Sequence, residues 1–431
     1  MTGFKKLIIT SLYLLSLLVC GSVAGQTIRF THVWNHTDFG MDLNYLYNYN
    51  IYEHNRWGAG LYLSTPLKYD TRYGTQFQNS FFAHVYAGYG TGDKAWKYGA
   101  SAGLSFPRNI FRRMSVCYQH DLLRVGSHSF DEYNILNTSN NSSYFSSHYC
   151  GTDRIAANAL FDIPGPGVIW MDYNYSRERY LFDATGLIFP AIEDTYNLRY
   201  DTYNEIGIDL YWGNHWKFGL LTDLRREDKN AHLYNFLPGI HYLRFLAQYS
   251  NPITLNDKGA RLSLFAQAGI VSDNAPLSRR FDLGGTGGGR YYFNNTFLTV
   301  RPNTFMADAF ALVCIRYTTG FSLWKSTLSS PHPFVQLNTM WGFLYGKDVV
   351  NGTKIVTLAY TQQDNQVNIS ITAPYAGLLE PGIGIDQLLH WGVLDMGVAA
   401  AYQLTKKNSP YHLDNFFNKF AVILVAELAI K

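Results

Sequence analysis

The sequence predicts an all-β protein, a transmembrane antiparallel β-barrel of about sixteen strands with apolar side chains toward lipid and polar ones toward its interior. Three observations carry this. Charged residues make up only 16% of the 431-residue chain, against roughly 25% in ordinary globular usage. Aromatics are abundant, with Tyr 33, Phe 28 and Trp 9. Run after run of strand length alternates apolar and polar residues, the period-two signature of a strand with two different faces.

The first element is N-terminal. Lys5 and Lys6 precede an apolar core from Leu7 to Val19 and the small residues Gly21, Ser22, Ala24 and Gly25. That order reads as a secretory signal peptide over residues 1–25, cut after Ala24 or Gly25. The apolar run is shorter than the ~20 residues a spanning helix needs, and no longer run follows, which excludes a bundle of membrane helices. Lys+Arg 35 against Asp+Glu 32 leaves no basic excess for a nucleic-acid binder. Residues 26–54 read as a short N-terminal segment and residues 55–431 as one barrel domain.

Within that domain the alternation is explicit. From Val168, one face reads Asp172, Asn174, Ser176, Glu178 and the other Ile169, Met171, Tyr173, Tyr175. Glu205, Gly207 and Asp209 oppose Ile206, Ile208, Leu210 and Trp212; Arg261, Ser263 and Gln267 oppose Leu262, Leu264, Ala266, Ala268 and Ile270. Gln336 and Asn338 oppose Val335, Leu337, Trp341 and Phe343, whereas the last run, from Phe420, is apolar on both faces. Turn signals at Thr91-Gly92-Asp93, Gly213-Asn214, Asn256-Asp257-Lys258-Gly259 and Asn351-Gly352 separate such runs. About fifteen runs are legible, with one more expected between Ile355 and Ile371. The Ser/Asn-rich stretch from Asn137 to His148 reads as one long solvated loop. A soluble sandwich or propeller would also alternate. The charge-free outward faces, the aromatics near strand ends and the lack of a blade-length repeat favour the membrane.

Candidate chemistry is sparse. Phe281-Asp282-Leu283-Gly284-Gly285-Thr286-Gly287-Gly288-Gly289-Arg290-Tyr291-Tyr292 is glycine-rich, but a phosphate-cradling loop opens a helix, and no amphipathic helix follows. The segment reads instead as a long loop whose glycines, Gly288 and Gly289 among them, pack tightly and deliver Arg290 to a buried carboxylate. Asp308, Glu380 and Asp386 are the candidate partners, because a partly desolvated arginine keeps its charge and calls for a bidentate carboxylate. The alternative is a flexible exposed loop. The histidines are scattered with no paired nucleophile, so no enzyme is expected. Cys117, Cys150 and Cys314 lack a C-x-x-C pairing, so neither structural zinc nor any cofactor is expected, and at most one disulfide.

Two stretches go beyond composition. One is Asn55-Arg56-Trp57-Gly58-Ala59-Gly60-Leu61 with Tyr89-Gly90-Thr91-Gly92-Asp93-Lys94-Ala95-Trp96-Lys97-Tyr98-Gly99. The other runs from Tyr291 through Phe305-Met306-Ala307-Asp308-Ala309-Phe310 to Pro333 and on to Glu380-Pro381-Gly382-Ile383-Gly384-Ile385-Asp386. Together they resemble the barrel part of the BamA/TamA-like surface-antigen superfamily. The branch is that of large Gram-negative outer-membrane proteins with a carboxypeptidase-regulatory-like domain before the barrel. The resemblance covers roughly Asn50 to the C-terminus. It implies a sixteen-strand outer-membrane barrel whose loop before the twelfth strand folds into the lumen, carrying an Arg-Gly-aromatic motif. Here the motif departs to Gly289-Arg290-Tyr291. About 25 to 30 residues separate the signal peptide from the first strand-like run, too few for a periplasmic domain of ordinary size. The chain ends Ala429-Ile430-Lys431, where barrels usually close on an aromatic. The resemblance therefore implies a barrel-only, non-enzymatic relative in the outer membrane, in contact with lipid and with other outer-membrane or periplasmic proteins. Two alternatives stand beside it. One is a passive or gated pore, since lumen-facing Asp172, Glu178, Asp209, Arg261 and Gln267 suit a hydrated channel; the other is a secreted soluble β-rich binding protein.

Overall fold

The computed structural model describes residues 29–34, 36–42, 47–50, 54–68, 72, 78–92, 94–124, 148–182, 201–224, 242–257, 259–283, 297–300, 305–326, 328–359, 366–391, 394–407, 409–415 and 419–428. Residues 1–25, expected to be a signal peptide, lie outside them. The wall begins with β1 (Arg29–Trp34), β2 (Thr37–Asp42), β3 (Tyr47–Asn50), β4 (His54–Pro66), β5 (Ser80–Gly90), β6 (Trp96–Ser105), β7 (Phe111–Arg124), β8 (His148–Ile163) and β9 (Gly167–Phe182). It continues with β10 (Asp201–Trp212), β11 (Trp216–Asp223), β12 (Leu243–Thr254), β13 (Arg261–Val271), β16 (Ala309–Thr318), β17 (His332–Phe343), β20 (Leu378–Trp391), β21 (Leu394–Tyr402), β22 (Leu404–Thr405) and β23 (Phe420–Leu428). Two small hairpins stand outside it: β14 (Phe281–Leu283) with β15 (Phe305–Ala307), and β18 (Thr353–Ala359) with β19 (Gln366–Thr372).

Along the wall the pairing is antiparallel throughout the described residues and follows chain order, with β13 passing to β16 and β17 to β20 across the two hairpins. β2 and β3 both pair with β4, and β21 and β22 both pair with β20, so the wall has seventeen strands, in keeping with the expected count of about sixteen. Its first strand is β1, which pairs with β2. The wall therefore begins inside residues 26–54, ahead of the boundary expected at residue 55. The run between Ile355 and Ile371 forms β18–β19 outside the wall, and its Ile371 and Val356 pack against the central apolar cluster.

The connections differ by rim. Segments 164–166 and 213–215 close β8–β9 and β10–β11 on one side, while 125–147, 183–200 and 224–242 join the next pairs on the other. Short turns on one side and long loops on the other are typical of outer-membrane barrels.

The two faces are inverted relative to a water-soluble sheet. Arg154, Asp172, Glu205 and Lys217 are buried, while Trp57, Val116, Ile155 and Ile383 are 52%, 58%, 56% and 63% exposed. Along β9, buried Asp172, Asn174, Ser176 and Glu178 alternate with exposed Met171, Tyr173 and Tyr175, as the period predicted. Aromatics gather at both rims. Trp212 and Trp216 sit at the short-turn end, Trp216 with Tyr249 at 4.6 Å between ring centres, and Tyr89 with Trp96 at the other end, 5.4 Å apart. Amphipathic rings favour the two interfaces of a bilayer. Asp172, Glu178 and Asp209 face inward as expected, and Gln267 bonds Gln248 at 3.3 Å; Arg261, at the end of its strand, is exposed. Cys314 is a buried thiol on the inner face.

Candidate functional site

The described parts of the connection between β13 and β16, residues 272–283, 297–300 and 305–308, enter the interior, as expected of this loop. After Pro276 it makes a short 3-10 turn, Leu277–Arg279, all three residues buried. Proline fixes the φ that starts the turn and leaves no N–H to satisfy there. Its apolar residues Leu277, Phe281, Phe297, Val300, Phe305 and Met306 join wall residues Trp170, Leu221, Leu246 and Phe310 in one cluster.

Arg279 is the centre of the site. Its Nε donates to Glu205 Oε1 at 2.6 Å and its Nη2 to Glu205 Oε2 at 3.0 Å. Nη2 also donates to Glu178 Oε1 at 2.6 Å, and Nη1 to Glu178 Oε2 and Ser278 Oγ, both at 3.0 Å. A guanidinium has five N–H donors, and all five are used. The carboxylates are held in turn: Tyr242 donates its hydroxyl to Glu205, Asn174 Nδ2 donates to Glu205 Oε2 at 2.6 Å, and Ser176 Oγ to Glu178 Oε1 at 3.1 Å. The Tyr203 ring lies 4.8 Å from the guanidinium carbon. β-alternation makes this possible, since Asn174, Ser176 and Glu178 share the inner face of β9 and Tyr203 and Glu205 that of β10. Every carboxylate oxygen of the cage accepts a bond, so the cage holds the loop to the wall.

Two more anchors fix the same loop. At its neck Arg280 pairs with Asp308, whose Oδ2 also accepts the Tyr345 N–H at 2.8 Å, and Arg280 Nη2 donates to the Asp273 carbonyl at 2.9 Å. Farther on, buried Glu380 of β20 accepts the N–H groups of Leu298 (2.9 Å) and Thr299 (2.7 Å), the Thr299 hydroxyl (2.5 Å) and Asn338 Nδ2 (3.0 Å). Nearby, Lys354 of β18 donates to the Tyr345 carbonyl at 2.8 Å. Burial lowers the Lys354 ammonium from its ordinary value, Arg280 lowers it further, and Asp348 and Asp273 oppose this.

The expected site residues are placed differently from one another. Gly288, Gly289, Arg290 and Tyr291 lie outside the described residues. The three carboxylates offered to Arg290 have other partners: Asp308 has Arg280, Glu380 has the Leu298–Thr299 backbone, and Asp386 pairs with Arg316. Sequence reasoning missed Arg279 and Arg280. The available signal was two adjacent arginines, after Pro276-Leu277-Ser278 and before Phe281, in a chain with few charges.

The loop packs closely on the wall at Gly269, where a Cβ would meet the Phe281 ring at 2.5 Å and the Phe310 ring at 2.7 Å. Gly269→Val should therefore destabilise the fold by about 1–3 kcal/mol through overpacking. The readout is a lower temperature of band conversion in unboiled gels.

No protein-family model matches the chain, and no curated protein does. Among solved structures it is similar to CdiB from Acinetobacter baumannii, with 10% identity and a TM-score of 0.41 over 87% of this chain and 57% of that one. BamA from Haemophilus ducreyi, in a crystal structure lacking POTRA domains 1-3, gives 8% and 0.48 over 96% and 77%. CdiB from Escherichia coli gives 11% and 0.42 over 92% and 63%. The chain thus spans little more than half of the first of these and under two thirds of the last. At such identities and TM-scores the likeness assigns no activity to this chain.

Proposed function

We propose that this chain is a non-enzymatic outer-membrane β-barrel that keeps its lumen closed with its own loop and works with partner proteins in assembly or translocation, rather than as a standing pore. The observation that carries the reading is Arg279, a loop residue buried in the lumen with all five donors engaged by Glu178, Glu205 and Ser278. A loop so held fills space that a solute would need. The inverted wall, with exposed Trp57 and Ile155 outside and buried Asp172 and Glu205 inside, supports residence in lipid. The asymmetry of the rims supports short turns toward the periplasm. The assembly class is supported by the sequence resemblance of Tyr89–Gly99 and Glu380–Asp386 to the surface-antigen superfamily.

The test is made on native membranes. Cross-linking followed by affinity purification should recover specific outer-membrane or periplasmic proteins, and the purified barrel in planar bilayers should show no steady conductance. Steady ohmic conductance with no protein partner would replace this reading with a solute pore. Solubility without detergent would replace it with a secreted binding protein.

A further inference from the structure

The loop's departure from the wall leaves a crevice on the outer face. β16 starts at Ala309, which lies between Ile270 of β13 and Phe343 of β17 in the register. Asp308 still bridges both neighbours, taking the Val271 N–H on its carbonyl at 2.7 Å and giving its own N–H to Phe343 at 2.8 Å. The chain before it runs inward. The notch beside this neck is a crevice of about 500 Å³ lined by Leu243, Phe245, Ile270, Val271, Ser272, Asp273 and Tyr345.

The surface its lining exposes is mostly apolar, and Phe245 and Ile270 set it on the outward face. Phe245 and Ile270 are direct register partners, 41% and 50% exposed, and Trp341 and Phe343 continue the same apolar surface along β17. The crevice lies at the long-connection rim, where β12 and β17 meet their long connections. We infer that it binds an acyl chain of a membrane lipid from the leaflet on that side. This rests on the membrane reading above. The occupant follows from continuity, because the crevice is a recess in the surface that reading gives to lipid, and an apolar recess of this size holds no well-bonded water. Its volume is in the range of ligand sites, roughly 300–1,000 Å³.

A bound chain also has a consequence inside. Val271 and Asp273 are the loop's neck, and the Asp273 carbonyl is held by Arg280, so the crevice has this shape only with the loop docked. A lipid that binds the docked form better draws the population toward it.

The experiment uses the whole chain purified in mild detergent. Native mass spectrometry should show lipid retained through a delipidating wash. Ile270→Trp, which fills the crevice, should reduce that occupancy roughly tenfold, while Val335→Trp, on the outer face of β17 away from the crevice, should leave it unchanged. Should Ile270→Trp fail to fold, Leu243→Trp fills the crevice from the other strand. No retained lipid in the parent, or equal retention in the filled variant, overturns the inference. Unboiled gel migration is read in parallel on the parent. Its failure to differ from boiled protein would overturn the membrane reading instead, so the two failures are told apart.

Discussion

Arg279→Met should lower the temperature at which the unboiled protein loses its compact gel band further than any substitution on the outer face. The variant leaves Glu178 and Glu205 facing each other, both buried and acidic, with their cation gone. Removing one partner of a buried ionic group typically costs about 3–5 kcal/mol, whereas an exposed pair such as Arg112 with Asp162 is worth roughly 0–1. Arg279→Lys should recover little. An ammonium is a point charge with three donors and cannot meet two carboxylates bidentately at once. The triple variant Arg279→Met, Glu178→Leu, Glu205→Leu should recover much of the loss, since apolar replacement of a buried ionic group is often near neutral. Recovery in the triple variant identifies stranded carboxylates as the cause. A band temperature unchanged in Arg279→Met would show that the loop is not held by this cage.

The faces of the wall were legible because a strand has a period of two and this wall has one polar and one apolar side. Asp172, Asn174, Ser176 and Glu178 could be set on the inner face from spacing alone. The start of the wall was not, for a local reason. The second strand is broken into Thr37–Asp42 and Tyr47–Asn50, and its register against β4 shifts between Asp42 opposite Gly60 and Tyr47 opposite Trp57. Each half is too short to stand out. The hairpin β18–β19 was legible as strand but not as a hairpin outside the wall, since alternation does not say which neighbour a strand takes. The cage was illegible for a stronger reason. Arg279 meets Glu205 and Glu178 across 74 and 101 residues, and such a pairing depends on how the wall curls around its loop. The glycine cluster drew attention to Arg290, while the arginines that the structure shows holding the loop stand just ahead of it. Glu380 was singled out as a candidate partner for Arg290, but two of its four donors are the backbone N–H groups of Leu298 and Thr299, which no side-chain pattern reveals.

Excising the lumen loop should convert a closed barrel into a conducting one. The geometry permits a clean excision, because Ile270 and Ala309 are direct partners in adjacent strands, so residues 272–308 can be replaced by a tight hairpin turn. The seventeen-strand wall keeps its ladder, and the space held by Leu277, Phe281, Phe297 and Phe305 becomes water. In planar bilayers the parent should be silent and the excised chain should open in discrete steps. Those steps should favour cations. Excision removes Arg279 and Arg280 but leaves Glu178 and Glu205 on the wall beside Asp172, Asp209 and Asp223, five carboxylates against the three cations Arg154, Lys217 and Arg244 on that arc. Carboxylates lining a narrow water-filled passage concentrate cations within it. Glu178→Gln with Glu205→Gln in the excised chain should weaken that preference while keeping the step size near its value, since glutamine has nearly the same shape. An excised barrel that stays folded yet silent would mean that something other than this loop closes the lumen, and the closed-barrel reading would then have to find its seal elsewhere on the wall.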